Sequence, residues 1–302
     1  MHARNASLAL PEKDASRAAF ARAASTFGDA CVVHDWARQQ VLERLDVVRL
    51  IPATVADIGC AVGRGTAALA RRYPLARRVA VDSSVAMLAT GRQAAPEAAA
   101  AWLAGDAERL PLKDGCIDLL LANLVLPWCS PAAFFAEARR VLRPDGLVTF
   151  ATLGPDTLQE VRRAWLRADD VVHVHAAFDM HDLGDAAVAA GLAEPVLDVD
   201  RIEVAYRDVD ALVADLRACG AVNTAPGRRK SLTGPRRWRT FADTLHARRI
   251  DDRFVVTIEV IFGQAWGRPA RMARTPAGET VVPLAHVQRK RAGRLHGAAP
   301  VL

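Results

Sequence analysis

The sequence predicts an α/β protein: a doubly wound, seven-stranded sheet with lid insertions after the fifth and sixth strands. Three observations lead there. Short apolar runs alternate with helix-like segments between about residues 51 and 154, the rhythm of parallel strands joined by crossover helices. The run CIDLLLANLVLPW, from Cys116, is apolar almost throughout, as a central strand covered on both faces must be. After Gly154 the rhythm changes, and two further strand patterns are separated by helices and a stretch rich in Gly, Pro and Arg.

The elements follow in order. Residues 17–50 are helical in pattern, with Val41, Leu42 and Leu45 on one face. ATVADIG is a buried strand, and GTAALARRYP is a helix stopped by Pro74. RRVAVDSS is the second strand, with Ser83 or Ser84 capping VAMLATGRQA. A short third strand lies in AAWLAGDAERLPL, and the Cys116 run is the fourth. PAAFFAEARRVLRPDG is a helix closed by Pro144 and Gly146, and LVTFATLG is the fifth strand. PDTLQEVRRAWLRA, HDLGDAAVAAGL and DVDALVADLRACGA are helices. VVHVHAAFDM is ambiguous between helix and strand. PVLDVDRIEVAY is the sixth strand, and RFVVTIEVIFGQAW, read as alternating, is the seventh. VNTAPGRRKSLTGPRRWRTF reads as loop or lid. The expected divisions are a helical segment at 1–50, a ligand-binding core at 51–154, a lid with closing strands at 155–266, and a basic, poorly ordered tail at 267–302.

Charge is segregated. The net charge is +6, and residues 267–302 carry seven basic and one acidic residue, so the tail holds the whole excess and the body is neutral. The basic balance is therefore no argument for a nucleic-acid partner. The cysteines number five, none at CxxC spacing, which points to reduced thiols in a cytoplasmic protein and to no zinc site. No apolar run is long enough to span a membrane, and the N-terminus lacks the apolar centre of a signal peptide.

The chemistry concentrates in VADIGCAVGRGTAAL. The loop misses the G-x-G-x-x-G spacing of a dinucleotide fingerprint, and no Gly-Lys-Ser/Thr follows to make a P-loop. What it offers is Asp57 at a strand end, followed by small residues at Gly59, Ala61 and Gly63 that let backbone approach a ligand closely. Asp82 ends the second strand, placed to accept both hydroxyls of a ribose at the carboxyl edge of the sheet. Asp106 after the third strand can accept from an adenine amino group, and the Ala107 N–H can donate to a ring nitrogen. Asn123 ends the fourth strand.

With ADIGCAVG, VAVDSS, GDAERLPL, IDLLLANL and EARRVLRPDG in order, the chain resembles the S-adenosylmethionine-dependent methyltransferases of the seven-stranded, Rossmann-like type. The resemblance implies S-adenosylmethionine as cofactor and adds Phe27, Cys60, Ser83, Met87 and Gly105 to the residues expected around it. A departure is Ala61 where the family has Gly, which costs about 1 kcal/mol if the backbone there is left-handed.

A narrower resemblance runs through residues 17–266. AFARAASTFGDACVVHDWARQQVLERL, ANLVLPWCSP, GPDTLQEVRRAW, SLTGPRRW and VTIEVIFGQAW look like the malonyl-acyl-carrier protein O-methyltransferases of biotin synthesis. That family methylates the free carboxylate of a malonyl thioester on acyl carrier protein. Such a carboxylate is already ionised at pH 7, so no catalytic base is expected and none is named. A positive clamp is expected instead, with Arg228, Arg229 and Arg236 of the lid as candidates and Trp128 beside them at the acceptor. The same cluster could meet an acidic carrier protein.

Several positions depart from the family pattern. Phe27 stands in place of a Tyr, His34 and Pro127 in place of Gln, and Gln264 in place of His; these changes are expected to cluster at the donor pocket and its lid. They keep three other readings open: a small-molecule methyltransferase with another acceptor, a protein like the complex I assembly factors that GPDTLQEVR also resembles, and a donor-binding protein without turnover. His173, His175 and His181 lack the companions of a metal site and read as core or surface histidines.

Overall fold

The computed structural model describes residues 9–267. The basic tail, apart from Gly267, lies outside the described residues. Three helices precede the sheet: α1 (Lys13–Ala23), α2 (Phe27–Ala30) and α3 (Val32–Arg44). Then come β1 (Thr54–Ile58), α4 (Arg64–Arg72), β2 (Arg77–Asp82), α5 (Val85–Ala94), β3 (Ala101–Ala104), β4 (Ile117–Asn123), α6 (Pro131–Val141) and β5 (Leu142–Leu153). The remainder is α7 (Gln159–Trp165), α8 (Met180–Ala189), β6 (Ala193–Tyr206), α9 (Val209–Ala218), α10 (Pro235–His246) and β7 (Phe254–Trp266).

The seven strands form one sheet in the order β3-β2-β1-β4-β5-β7-β6. β1 to β5 are parallel, and β7 runs antiparallel between β5 and β6. The strand order reverses between β1 and β4, and a doubly wound sheet opens its ligand crevice at the carboxyl ends of such a pair.

β4 shows why the tips are fixed in register. Leu120 and Ala122 pack with Phe134, Phe135 and Phe150 on one face, whereas Leu119 and Leu121 pack with Val41, Leu45 and Phe262 on the other. A slip of one residue would exchange the faces, and with α6 on one side and α3 on the other the two cores would both lose their fit. A third core joins α7, α9 and α10 through Trp165, Leu212, Phe241 and Leu245, packed on Phe254 and Val256 of β7.

Three expectations change. β7 does not alternate, because it lies between β5 and β6 with helices packed on both its faces: Val256 and the run Ile258–Phe262 are buried. PRRWRTF is not loop but the start of α10, with Pro235 at the first helical position and Trp238, Phe241 and Leu245 spaced to form an apolar stripe. The ambiguous VVHVHAAFDM forms neither helix nor strand until Met180.

Candidate functional site

A cleft of about 820 Å³ lies over the carboxyl ends of β1, β2, β3 and β4. Its floor is the loop after β1. The Gly59 and Cys60 N–H groups donate to Val81 O at 2.8 and 3.1 Å, clamping this loop against β2. Gly59 has φ +69°, and a Cβ there would strike the Val125 side chain at 2.7 Å. Ala61 is left-handed at φ +45°, the strained conformation its side chain resists.

The three aspartates converge on this cleft. Asp57 is buried and accepts from Thr66 Oγ1 at 2.7 Å. Burial pushes its carboxyl up to about 6, against the pull of the Thr66 hydroxyl. Gly65 matters here, since a Cβ would sit 2.7 Å from Asp57 Oδ2; the sequence reading did not single it out. Asp82 accepts from Ser84 N at 2.8 Å and from Ala61 N at 2.9 Å. Burial raises its pKa, and those two N–H groups restrain the rise. Ser84, not Ser83, caps α5 by accepting from Met87 N; Ser83 lines the cleft.

Asp106 is tied to the N-terminal region. Its Oδ1 accepts from Glu108 N at 2.9 Å, and its Oδ2 lies 2.6 Å from Lys13 Nζ. Burial pushes Asp106 up, but Lys13 and the Glu108 N–H outweigh it and leave the carboxyl below its ordinary value. Lys13 also reaches Glu108 at 2.6 Å, so α1 lies as a cover across the adenine end expected from the sequence. Phe27, Cys60, Met87, Gly105 and Ala107 line the same space. Burial drives the Cys60 thiol well above its ordinary pKa, so it is inert packing.

Asn123 donates from Nδ2 to His34 O at 3.0 Å, while its buried Oδ1 has no partner among the described residues. A buried acceptor left open in a ligand cleft is a place for a donor group of the ligand. Arg38 and Arg64 also line the cleft, both paired with Asp35. Sequence reading missed them, although Arg64 lies within the quoted loop; their proximity arises only when α3 folds over the sheet. A cleft with an open amide oxygen, two cations near one end and carboxylates at successive strand tips fits the ammonium, carboxylate and ribose of S-adenosylmethionine.

Gly63 is the exception among the expected donor residues. It is absent from the cleft wall; at φ +79° it faces Trp102, whose ring would lie 2.5 Å from a Cβ. Its role is to let the loop turn over that indole.

A second cavity of about 470 Å³ adjoins the first, and Phe20, His34, Leu124 and Trp128 line both. Its wall is largely apolar, with Trp165, Trp238 and Phe241 from the lid and Pro127 near the boundary. Trp238 packs within this segment, lying 6.2 Å from Trp165 of α7 and 5.5 Å from Phe241 of its own helix between ring centroids.

The lid arginines do not reach this cavity. Arg228 pairs with Glu12 at 2.9 Å, Arg229 pairs with Asp169 at 3.2 Å, and Arg236 is exposed on α10. The expected carboxylate clamp is therefore not formed by Arg228, Arg229 or Arg236 in this conformation; the first two are ion-paired with Glu12 and Asp169, and the third faces solvent. Gln264 likewise lies away from both cavities, in β7 opposite Thr149 and Val196. His173 donates from Nε2 to Asp169 Oδ1 at 2.8 Å and stacks on Trp165 at 3.7 Å. His181 sits 3.7 Å from Asp179 at the start of α8.

Residues 56–150 match the methyltransferase domain family. The chain is similar to the malonyl-acyl-carrier protein O-methyltransferase of Laribacter hongkongensis, 41% identical over 87% of this chain and 92% of the relative. The enzymes of the same name from Methylovorus and Coxiella burnetii are 40% and 35% identical, covering 87% and 92% of this chain, and 92% and 97% of theirs. Among solved structures, the YcgJ protein of Bacillus subtilis superposes with a TM-score of 0.54 at 14% identity, over 77% of this chain and all of that one. A Bacillus halodurans methyltransferase gives 0.54 at 16%, over 77% of this chain and 99% of that one, so these two share the fold. S-adenosylmethionine is the cofactor of this methyltransferase domain, and by descent over nearly its whole described length the chain belongs to the malonyl-acyl-carrier protein O-methyltransferase family.

Proposed function

We propose that this chain methylates the free carboxylate of a malonyl thioester carried on acyl carrier protein, opening a biotin route in the cytosol. The observation that carries the reading is the apolar cavity meeting the donor cleft at His34 and Trp128. An acyl group on a flexible carrier arm needs such a passage, with its reactive end delivered to the boundary. The exposed arginines Arg236 and Arg239 of α10 suit an acidic carrier surface. All five cysteines are free thiols, in keeping with a reducing compartment. No helix among the described residues is long and apolar enough to cross a membrane.

When bound, S-adenosylmethionine supplies an electrophilic methyl group on its sulfonium. The chain's own work is binding, alignment and exclusion of water. Asp82 would accept the ribose hydroxyls with the lone pairs left free by Ala61 N and Ser84 N. Asp57 and Asn123 Oδ1 would receive the ammonium, with Arg38 and Arg64 toward the carboxylate. Phe20 and Trp128, 5.0 Å apart edge to face, wall the boundary against solvent. The apolar wall strips water from the acceptor carboxylate and so raises the reactivity of an already ionised oxygen.

Incubation with methyl-labelled donor tests the proposal. Base-labile label should pass to malonyl-carrier protein and not to the acetyl form. Transfer to neither, with donor binding intact, would overturn it.

A further inference from the structure

Among the described residues the acceptor cavity has no buried arginine or lysine on its wall. Arg217 is the arginine on its wall, and it is exposed, as are the wall carboxylates Asp29 and Asp215. An acceptor carboxylate brought to the boundary faces the donor's sulfonium with one oxygen, and with no arginine of the cavity wall there its other lone pairs must be met by uncharged N–H groups.

His175 is built to be such a donor. It lines the acceptor cavity, its ring 5.2 Å from that of Trp128 and edge-on to it at 84°. The Thr224 backbone N–H donates to His175 Nε2 at 2.8 Å. A backbone amide can only donate, so Nε2 must carry the lone pair and the proton of the neutral ring must sit on Nδ1. Nδ1 has no partner among the described residues. Burial and the nearby Arg228 charge push the ring's pKa down to about 4, so it stays neutral at pH 7.

Thr224 is itself immobilised. Its carbonyl accepts from Glu12 N at 2.8 Å, and its hydroxyl lies 2.8 Å from Ser16 Oγ on α1. One residue thus joins the helix covering the donor cleft to the histidine of the acceptor cavity. We propose that His175, its tautomer fixed by Thr224, donates from Nδ1–H to the acceptor carboxylate and holds it at the boundary with the donor cleft. The inference rests on the malonyl-thioester reading above. A neutral donor suits this chemistry better than a guanidinium, because it orients the carboxylate while leaving the charge on the attacking oxygen.

Two substitutions separate this role from a structural one. In His175→Gln the amide oxygen can replace Nε2 as acceptor for Thr224, but the Nδ1 donor is gone. In His175→Asn the amide nitrogen can replace Nδ1, but the Thr224 contact is lost. His175→Gln should raise the KM for malonyl-carrier protein by about tenfold, and His175→Asn by no more than about threefold, with S-adenosylmethionine affinity by calorimetry unchanged in both. The reverse order, Gln unimpaired and Asn impaired, would make His175 a strut for the lid and overturn the proposal. Failure of the unaltered chain to methylate malonyl-carrier protein while binding the donor would overturn the acceptor reading and this inference together.

Discussion

Lys13 and Asp106 lie 93 residues apart in the chain, and their charged groups meet at 2.6 Å across the mouth of the donor cleft. Both are partly exposed, so the pair adds little to global stability. Its effect is local: it fastens α1 over the cleft.

Lys13→Met should therefore speed donor release by about threefold and accelerate amide exchange through residues 13–23, with thermal stability nearly unchanged. Stopped-flow dissociation and exchange mass spectrometry measure both. Unaltered release would mean that the ion pair does not hold the cover.

Asp82→Ala removes the acceptor of the Ala61 N–H and the proposed acceptor for two ribose hydroxyls. Donor affinity should fall by about 1.5–3 kcal/mol. A titration showing wild-type affinity would remove Asp82 from the site.

Asp57 has its carboxyl pushed up to about 6 by burial. A bound ammonium favours the ionised form, so donor binding should release a proton and tighten as pH rises through 6. Between pH 5 and 7 the gain should be roughly tenfold, levelling above. Asp57→Asn should flatten the profile; the same slope in that variant would assign it to another group.

His34 and His175 are both pushed down to about 4, mainly by burial. Unfolding returns each toward 6.5, so the unfolded chain binds more protons and stability falls as pH drops below 6.5. Each histidine contributes at most about 1.4 kcal/mol per pH unit. Asp57 acts in the opposite sense below 6, since the native carboxyl takes up its proton first. Between pH 6 and 5 the two histidines and Asp57 together should cost about 1.4 kcal/mol, lessened by the raised carboxyl of Asp82 and read from urea melts; a gain in stability that persists in Asp82→Asn would contradict the burial of the two rings.

Gly63→Ala would place a Cβ 2.5 Å from Trp102 at φ +79°. The left-handed penalty and the overlap together should cost about 2–4 kcal/mol, seen as a lowered melting temperature. Full retention of stability would show that Trp102 yields freely.

The cleft at the strand tips was largely legible in the sequence because its residues are local signals. Asp57, Asp82, Asp106 and Asn123 each lie within two residues of a strand's carboxyl end, and parallel strands of one sheet bring those ends to one edge whatever else the chain does. Arg38, Arg64 and Lys13 were not legible, since helix residues reach the cleft only when their helices pack across that edge. The lid arginines misled for a related reason: a run of positive charge does not record which carboxylates it will find, and Glu12 and Asp169 claim two of them.

By itself, then, the sequence determined the sheet, its winding and the chemistry at the strand tips, because hydrophobic period and turn residues act over a few positions. The tertiary structure decided what meets what over long separations: that Gly63 serves Trp102, that PRRWRTF becomes a packed helix, and that Thr224 fixes the proton of His175. Those contacts depend on shape and burial summed over the whole fold, which no local pattern encodes.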